Sequence, residues 1–151
     1  MSYDMTVERL IDGTPEEVFD AFIDREAMKE WYAIQPDWET DVQSHDSTVG
    51  GRTTIVFGGA EKYREDVTYS VIDRPHRIVY REDMRRVSDG GGFLTEVTVT
   101  FVPQGDKTLL TLVQSGFHDA ARRDAHQQGW PQFIDRFEQV VAKRRAAHGH
   151  P

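Results

Sequence analysis

A chain of 151 residues with 38% hydrophobic, 29% charged and 11% aromatic residues has the size of one domain and enough bulky apolar content to bury a core, which excludes wholesale disorder. Its 18 Lys and Arg against 26 Asp and Glu give a net charge of −8, a field that repels phosphate backbones and anionic headgroups, so neither nucleic acid nor a membrane surface is an expected partner. Cysteine is absent, which removes disulfides, thiolate nucleophiles and cysteine-ligated metals, and no segment has the ~18 apolar residues of a bilayer span or the pattern of a secretory signal, so a cytoplasmic location is expected.

Met5 to Ile11 alternates, with Met5, Val7 and Arg9 on one side and Thr6, Glu8 and Leu10 on the other, and predicts a first strand that stops at Asp12-Gly13. Thr14-Pro15-Glu16-Glu17 follows. Thr14 suits an N-cap, Pro15 the first helical position and Glu17 the closing residue of a capping box, so a short helix carrying Val18, Phe19 and Phe22 begins here. Asp24 is a second cap, and Ala27, Met28, Trp31 and Tyr32 recur at helical spacing until Pro36.

Beyond Trp38 the period changes to two, broken by turn clusters at Ser44–Gly51, Gly58–Glu61, Asp73–Pro75, Ser88–Gly92 and Gln104–Asp106. Six successive strands are predicted, over Trp38–Gln43, Arg52–Phe57, Tyr63–Ile72, Arg77–Met84, Phe93–Val102 and Thr108–Ser115. Turns this short force antiparallel neighbours, because a parallel crossover needs a dozen or more residues. From His118 to His148 the spacing of Trp130, Phe133, Ile134, Phe137, Val140 and Val141 marks one apolar face of a long helix. Pro131 lacks the N–H for the carbonyl of Gln127, so a kink or a fresh helix start is expected there, and Ala146–Pro151 is expected to fray.

The fold class expected is therefore α+β: a curved, seven-stranded antiparallel sheet wrapped around one long C-terminal helix, with two short helices after the first strand, and a single domain over residues 1–151. The helix is the only element long enough to cover the sheet's apolar face. Where the two layers touch at the ends more readily than in the middle, a cavity forms between them.

Strand parity picks out polar residues on the inner side. Glu65 shares its parity with Tyr63, Val67, Tyr69 and Val71, Glu82 with Ile78 and Tyr80, and Gln114 with Leu110 and Leu112, while His126 lies one turn before Trp130 on the helix stripe. Read functionally, these four orient a ligand's hydroxyl or carbonyl, and His126 with a carboxylate moves a proton. Read structurally, Glu65 and Glu82 are wet strand-end residues or pair with Arg64, Arg81 or Arg52. Trp31, Tyr32, Trp130, Phe133 and Phe137 are core or cavity wall, two readings that merge when a cavity sits in the core. The candidate ligand-binding set is Trp31, Tyr63, Glu65, Tyr69, Tyr80, Glu82, Gln114, His126, Trp130, Phe133 and Phe137.

Other patterns carry little. Gly90-Gly91-Gly92 lacks the Gly-Lys-Ser/Thr of a phosphate loop, Ser115-Gly116 lacks the pattern of a nucleophile elbow, and His148 and His150 have no fixed partners for a metal. No residue set demands a cofactor or names a catalytic group. Lysine occurs only at 29, 62, 107 and 143, and asparagine is absent, a bias associated with GC-rich bacterial genomes.

Several short motifs, in order, resemble one family. They are Thr14-Pro15-Glu16-Glu17-Val18-Phe19, Trp31-Tyr32, Val49-Gly50-Gly51-Arg52, Asp73-Arg74-Pro75-His76-Arg77-Ile78, Gln114-Ser115-Gly116-Phe117 and Gly129-Trp130. Together they are similar to the helix-grip, START-like (SRPBCC) superfamily, and within it to the bacterial homologues of the heat-shock chaperone ATPase activator. Pro131 departs from the small or polar residue usual after the Gly-Trp pair. The resemblance implies a helix-grip fold with a cavity. Activators of the larger, eukaryotic type carry an additional domain for which 151 residues leave no room, so a chaperone partner is not expected.

The leading expectation is a binding protein for a small, largely apolar or aromatic molecule. The alternatives are a polyketide cyclase-like or hydrolase-type enzyme using His126 with an inward glutamate, and an interaction module whose acidic surface meets a basic partner. A homodimer through a strand edge or helix face is compatible with all three.

Overall fold

The structure is a computed structural model that describes residues 2–33 and 35–148. Its elements run β1 (Tyr3–Asp12), α1 (Pro15–Ile23), α2 (Arg25–Trp31), β2 (Glu39–His45), β3 (Arg52–Gly58), β4 (Lys62–Asp73), β5 (Arg77–Arg86), β6 (Gly92–Gln104), β7 (Lys107–Phe117) and α3 (Ala120–Ala147). The expected architecture is present, and the strands extend one or two residues past most of their predicted ends because pairing continues into the turns.

All neighbouring strands are antiparallel, in the order β1-β7-β6-β5-β4-β3-β2. Consecutive strands from β2 to β7 meander. β1 closes onto β7, so β1 and β2 occupy opposite edges and α1 and α2 carry the chain from one edge to the other. Both short helices start where their caps direct. Thr14 and Glu17 form the reciprocal capping box, Pro15 opens α1, and Asp24 accepts from the Ala27 amide to start α2.

Inward parity in the sheet follows the alternation. Met5 and Ile11 are buried, and Arg9, in phase with them, turns toward α3 and pairs with Asp135 and Glu138. The core between the layers is aromatic. Phe22 meets Trp31, Phe101 and Phe137 at ring-centroid separations of 5.1, 6.2 and 5.7 Å, and Phe19 meets Phe101 at 5.2 Å, each contact adding about 1 kcal/mol beyond the area it buries.

The fresh helix start anticipated at Pro131 does not occur. α3 is one helix of 28 residues with Pro131 inside it, because tertiary anchors hold both flanks. Gln127 donates to the Thr6 carbonyl at 2.8 Å on one side, and buried Trp130 and Ile134 straddle the proline. Its C-terminal turn carries Lys143, Arg144 and Arg145 onto Glu30, Asp24 and Glu17 of the two short helices and their caps, an arrangement that also opposes the negative end of the helix dipole. Ala146 and Ala147 remain helical and His148 caps the helix. The rest of the expected frayed end, with His150, lies outside the described residues.

Candidate functional site

Long and short residues along α3 decide where the two layers separate. Ile134, Phe137, Val140 and Val141 bury the C-terminal half, and α3 rests on β1, β7, α1 and α2. The N-terminal half diverges from β3–β6. It presents Ala125 and Gly129 there, and a Cβ built at Gly129 meets no atom within 4 Å. A cavity of about 540 Å³ results. It occupies one end of the sandwich and not the middle, where the aromatic core leaves only a void of about 10 Å³.

Glu65 of β4 and Glu82 of β5 form its floor. Each is 2% exposed. The walls are aromatic: Trp31, Tyr32, Trp38 and Phe57 on one side, Tyr63 and Phe93 from the sheet, and Trp130 and Phe133 from α3. Gln35, Gln132, Arg86 and Arg122 stand among the lining residues as further polar members beside the two glutamates and His126. Arg86 is held by Asp89 at 2.9 Å, and the Arg122 guanidinium lies over the Phe93 ring, 4.6 Å from its centroid.

A hydrogen-bonded chain crosses the floor. Tyr32 Oη donates to Glu65 Oε1 at 2.9 Å, Glu65 and Glu82 hydrogen-bond to each other, Gln114 Nε2 donates to Thr95 Oγ1 at 2.9 Å and to Glu82 Oε1 at 3.5 Å, and Trp130 Nε1 donates to Gln114 Oε1 at 2.8 Å. α2 and α3 are thus connected through the sheet. Burial pushes the Glu65 carboxyl up to about 7, opposed by the bonds from Tyr32 and Glu82. Burial, and then the charge of Glu65, hold Glu82 well above the carboxylate range. The pair therefore keeps a proton at neutral pH, shared between the two carboxyls.

Parity correctly turned Glu65, Glu82 and Gln114 inward. The reading of the two glutamates as wet strand-end residues is overturned by their burial, and Arg64 pairs with Asp66 instead. Of the sequence-derived set, Trp31, Tyr63, Glu65, Glu82, His126, Trp130 and Phe133 line the cavity. Gln114 sits behind its floor, fully buried. Tyr69 and Tyr80 lie deeper along the sheet beside the 10 Å³ void, and Phe137 packs on Trp31 and Phe22 in the closed half.

His126 reaches the cavity but not the carboxyls. Its Nδ1 is 3.1 Å from the Arg122 carbonyl, its ring is wedged at 5.0 Å from both Phe93 and Phe117, and burial lowers its pKa. Among the described residues no hydrogen bond joins His126 to Glu65 or Glu82. Phe117 backs this end of the cavity, fully buried against Phe93.

Residues beyond the predicted set were within reach of the same logic. Phe57 and Met84 each follow a buried inward residue by one pleat and Phe93 precedes one, and Arg122 and Gly129 are one turn from His126 and Phe133 on α3. Gln35 sits in the irregular segment between α2 and β2, where no periodicity marks it, and Trp38, predicted to open a strand, lies just ahead of β2, which starts at Glu39.

No curated protein matches this chain. The family model described as Activator of Hsp90 ATPase homolog 1-like protein matches residues 12–142. Among solved structures, a protein from Chromobacterium violaceum is 26% identical with a TM-score of 0.80, the match covering 91% of this chain and 96% of the other. One from Rhizobium loti is also 26% identical, with a TM-score of 0.72 and coverage of 93% and 97%. The AHSA1-like protein from Aeromonas hydrophila is 24% identical with a TM-score of 0.72, covers 94% of each chain, and is similar in fold.

Proposed function

The chain belongs to the Activator of Hsp90 ATPase homolog 1-like family, and from that premise we propose that it is a binding protein for a small, largely apolar molecule held between the sheet and α3. One observation carries this reading: an aromatic-walled cavity of about 540 Å³ with its few polar groups gathered at specific places. That volume falls in the range of small-molecule sites, and an apolar wall with a few convergent polar groups is how such sites combine affinity with orientation. Membership of the family does not by itself fix the activity, so the cavity is the argument.

The aromatic rings also explain why the space persists. They are locked against one another, with Tyr32, Phe57, Trp38, Trp130 and Phe133 in a continuous series of ring contacts between 5.1 and 6.5 Å, so the walls resist collapse.

The test is occupancy. Native mass spectrometry of gently purified protein and titration with an environment-sensitive apolar dye should show a bound species at one equivalent, displaced by competing apolar compounds. Protein that carries no added mass and leaves the dye unperturbed would remove the reading.

A further inference from the structure

Among the described residues, the cavity floor holds two carboxyls and no counter-charge. The neutral partners of Glu65 and Glu82 are the Tyr32 hydroxyl at 2.9 Å and the Gln114 amide at 3.5 Å. Nearby cations are engaged elsewhere: Arg64 with Asp66, Arg86 with Asp89, and Arg122 over Phe93. Buried carboxyls are ordinarily compensated by a cation or a metal. Here, among the described residues, no group of three His, Cys, Asp or Glu could hold a metal ion, and the compensation is a proton between two glutamates.

We propose that the ligand of this cavity is a hydrophobic amine whose ammonium group docks on Glu65 and Glu82 and takes the place of the proton they share. The inference rests on the binding reading above and adds the chemical class. Donors on the floor are spent, since Tyr32 already donates to Glu65 and the Gln114 amide to Thr95 and Glu82. What the two carboxyls offer a ligand is acceptor capacity, which an ammonium with three N–H groups uses fully and a carbonyl cannot use at all. Tyr63, Phe57 and Trp130 line the same cavity and aromatic rings attract a cation over their faces, and the net charge of −8 draws cations toward the protein.

Binding changes no bond in the ligand. The ammonium stays protonated, and the proton between the two carboxyls leaves to solvent. Other groups facing the pair do not supply that proton at neutral pH. Burial raises the hydroxyl pKa of Tyr32 at the C-cap of α2 and Tyr80 on β5, and that of Tyr69 on β4 to about 12. Asp66 on β4 is held below the usual range by Thr54 and Arg64 against the effect of its burial, and His126 on α3 is lowered by burial.

Three isosteric probes separate the possibilities: naphthylmethylamine, naphthylmethanol and naphthoic acid, titrated calorimetrically into the full chain at pH 7 in phosphate and in Tris. The amine should bind about tenfold or more tightly than the alcohol, with a buffer-dependent heat that reports proton release, and its affinity should rise with pH through about 7. In Glu65→Gln the amine should fall to the level of the alcohol, and an amine preference that survives the substitution would overturn the assignment. Equal binding of amine and alcohol without proton release would overturn the amine assignment and leave the apolar cavity standing, as would preference for the acid, which would give selection to Arg86 and Arg122. Failure of all three to bind, in wild type as in the variant, would remove both.

Discussion

Trp130 Nε1 donates to Gln114 Oε1 at 2.8 Å, and this bond fixes which way the Gln114 amide faces. With its oxygen taken by the indole, Gln114 turns Nε2 toward Thr95 and Glu82, so a tryptophan on α3 determines that the floor carboxyl receives a donor. Gln114 is fully buried, and an acceptor stranded there costs about 2 kcal/mol. Trp130→Phe keeps most of the packing and removes the N–H. Urea denaturation should show a loss of about that size, and a Trp130→Phe/Gln114→Leu double variant should recover part of it; equal stability of wild type and Trp130→Phe would contradict the role assigned to the bond.

Glu65 makes stability depend on pH with a definite sign. Its folded-state pKa lies above the unfolded value of a glutamate, about 7 against 4.5, so the folded state binds the proton more tightly. Its contribution is fully present below about 4.5 and is lost as pH rises through about 7. Glu65→Gln keeps an acceptor for Tyr32 and removes the ionisation. Thermal melts should therefore show the variant gaining on wild type between pH 5 and pH 8, by up to about 3 kcal/mol, and parallel profiles for the two proteins would refute the shared-proton floor.

Gly129 leaves the cavity wall open at a helical position. Alanine there meets no neighbour within 4 Å and should stabilise the protein by up to about 1 kcal/mol through helix propensity. Gly129→Phe should place a ring in the cavity and lower apolar-dye affinity about tenfold or more, with the circular dichroism spectrum unchanged. Undiminished dye binding by this variant would put the bound dye somewhere else.

Arg9 fastens β1 to α3 through Asp135 at 2.8 Å and through Glu138. These groups are partly exposed, so the network is worth about 1 kcal/mol and is screened by salt. Arg9→Ala should cost that much in dilute buffer and less in 1 M salt, where the Debye length falls to roughly 3 Å. A deficit that does not shrink with salt would mean that the arginine stem, and not its charge, holds the strand.

Much of the site was legible where a period could be followed. Parity turned Glu65, Glu82 and Gln114 inward because β4, β5 and β7 pair in regular register through those residues, and the three-and-four spacing of α3 placed Trp130 and Phe133 on the cavity side. Period says which face a residue is on and nothing about depth along the element. Tyr69 and Tyr80 share the parity of Glu65 and Glu82 yet lie one to two pleats farther in, against the closed half of the sandwich. Gln35 had no period to read, and Trp38 stood at the very edge of one. No helix among the described residues is long and apolar enough to cross a membrane, in line with the hydropathy of the chain.

Local physics written into the sequence determined the elements and the face of each: the Thr14–Glu17 capping box, the Asp24 cap, the two-residue alternation of seven strands and the apolar stripe of the final helix. These are interactions within a few residues, and they survive almost any tertiary arrangement. Three matters were decided only when the layers met. Pro131 stayed inside a continuous helix because anchors on both sides outweigh one missing hydrogen bond. The cavity formed at one end because Gly129 and Ala125 cannot fill the gap that Phe137 and Ile134 fill farther along. Glu65 and Glu82 became a proton-sharing pair because burial across two strands, a contact between residues seventeen positions apart, makes two charges costlier than one.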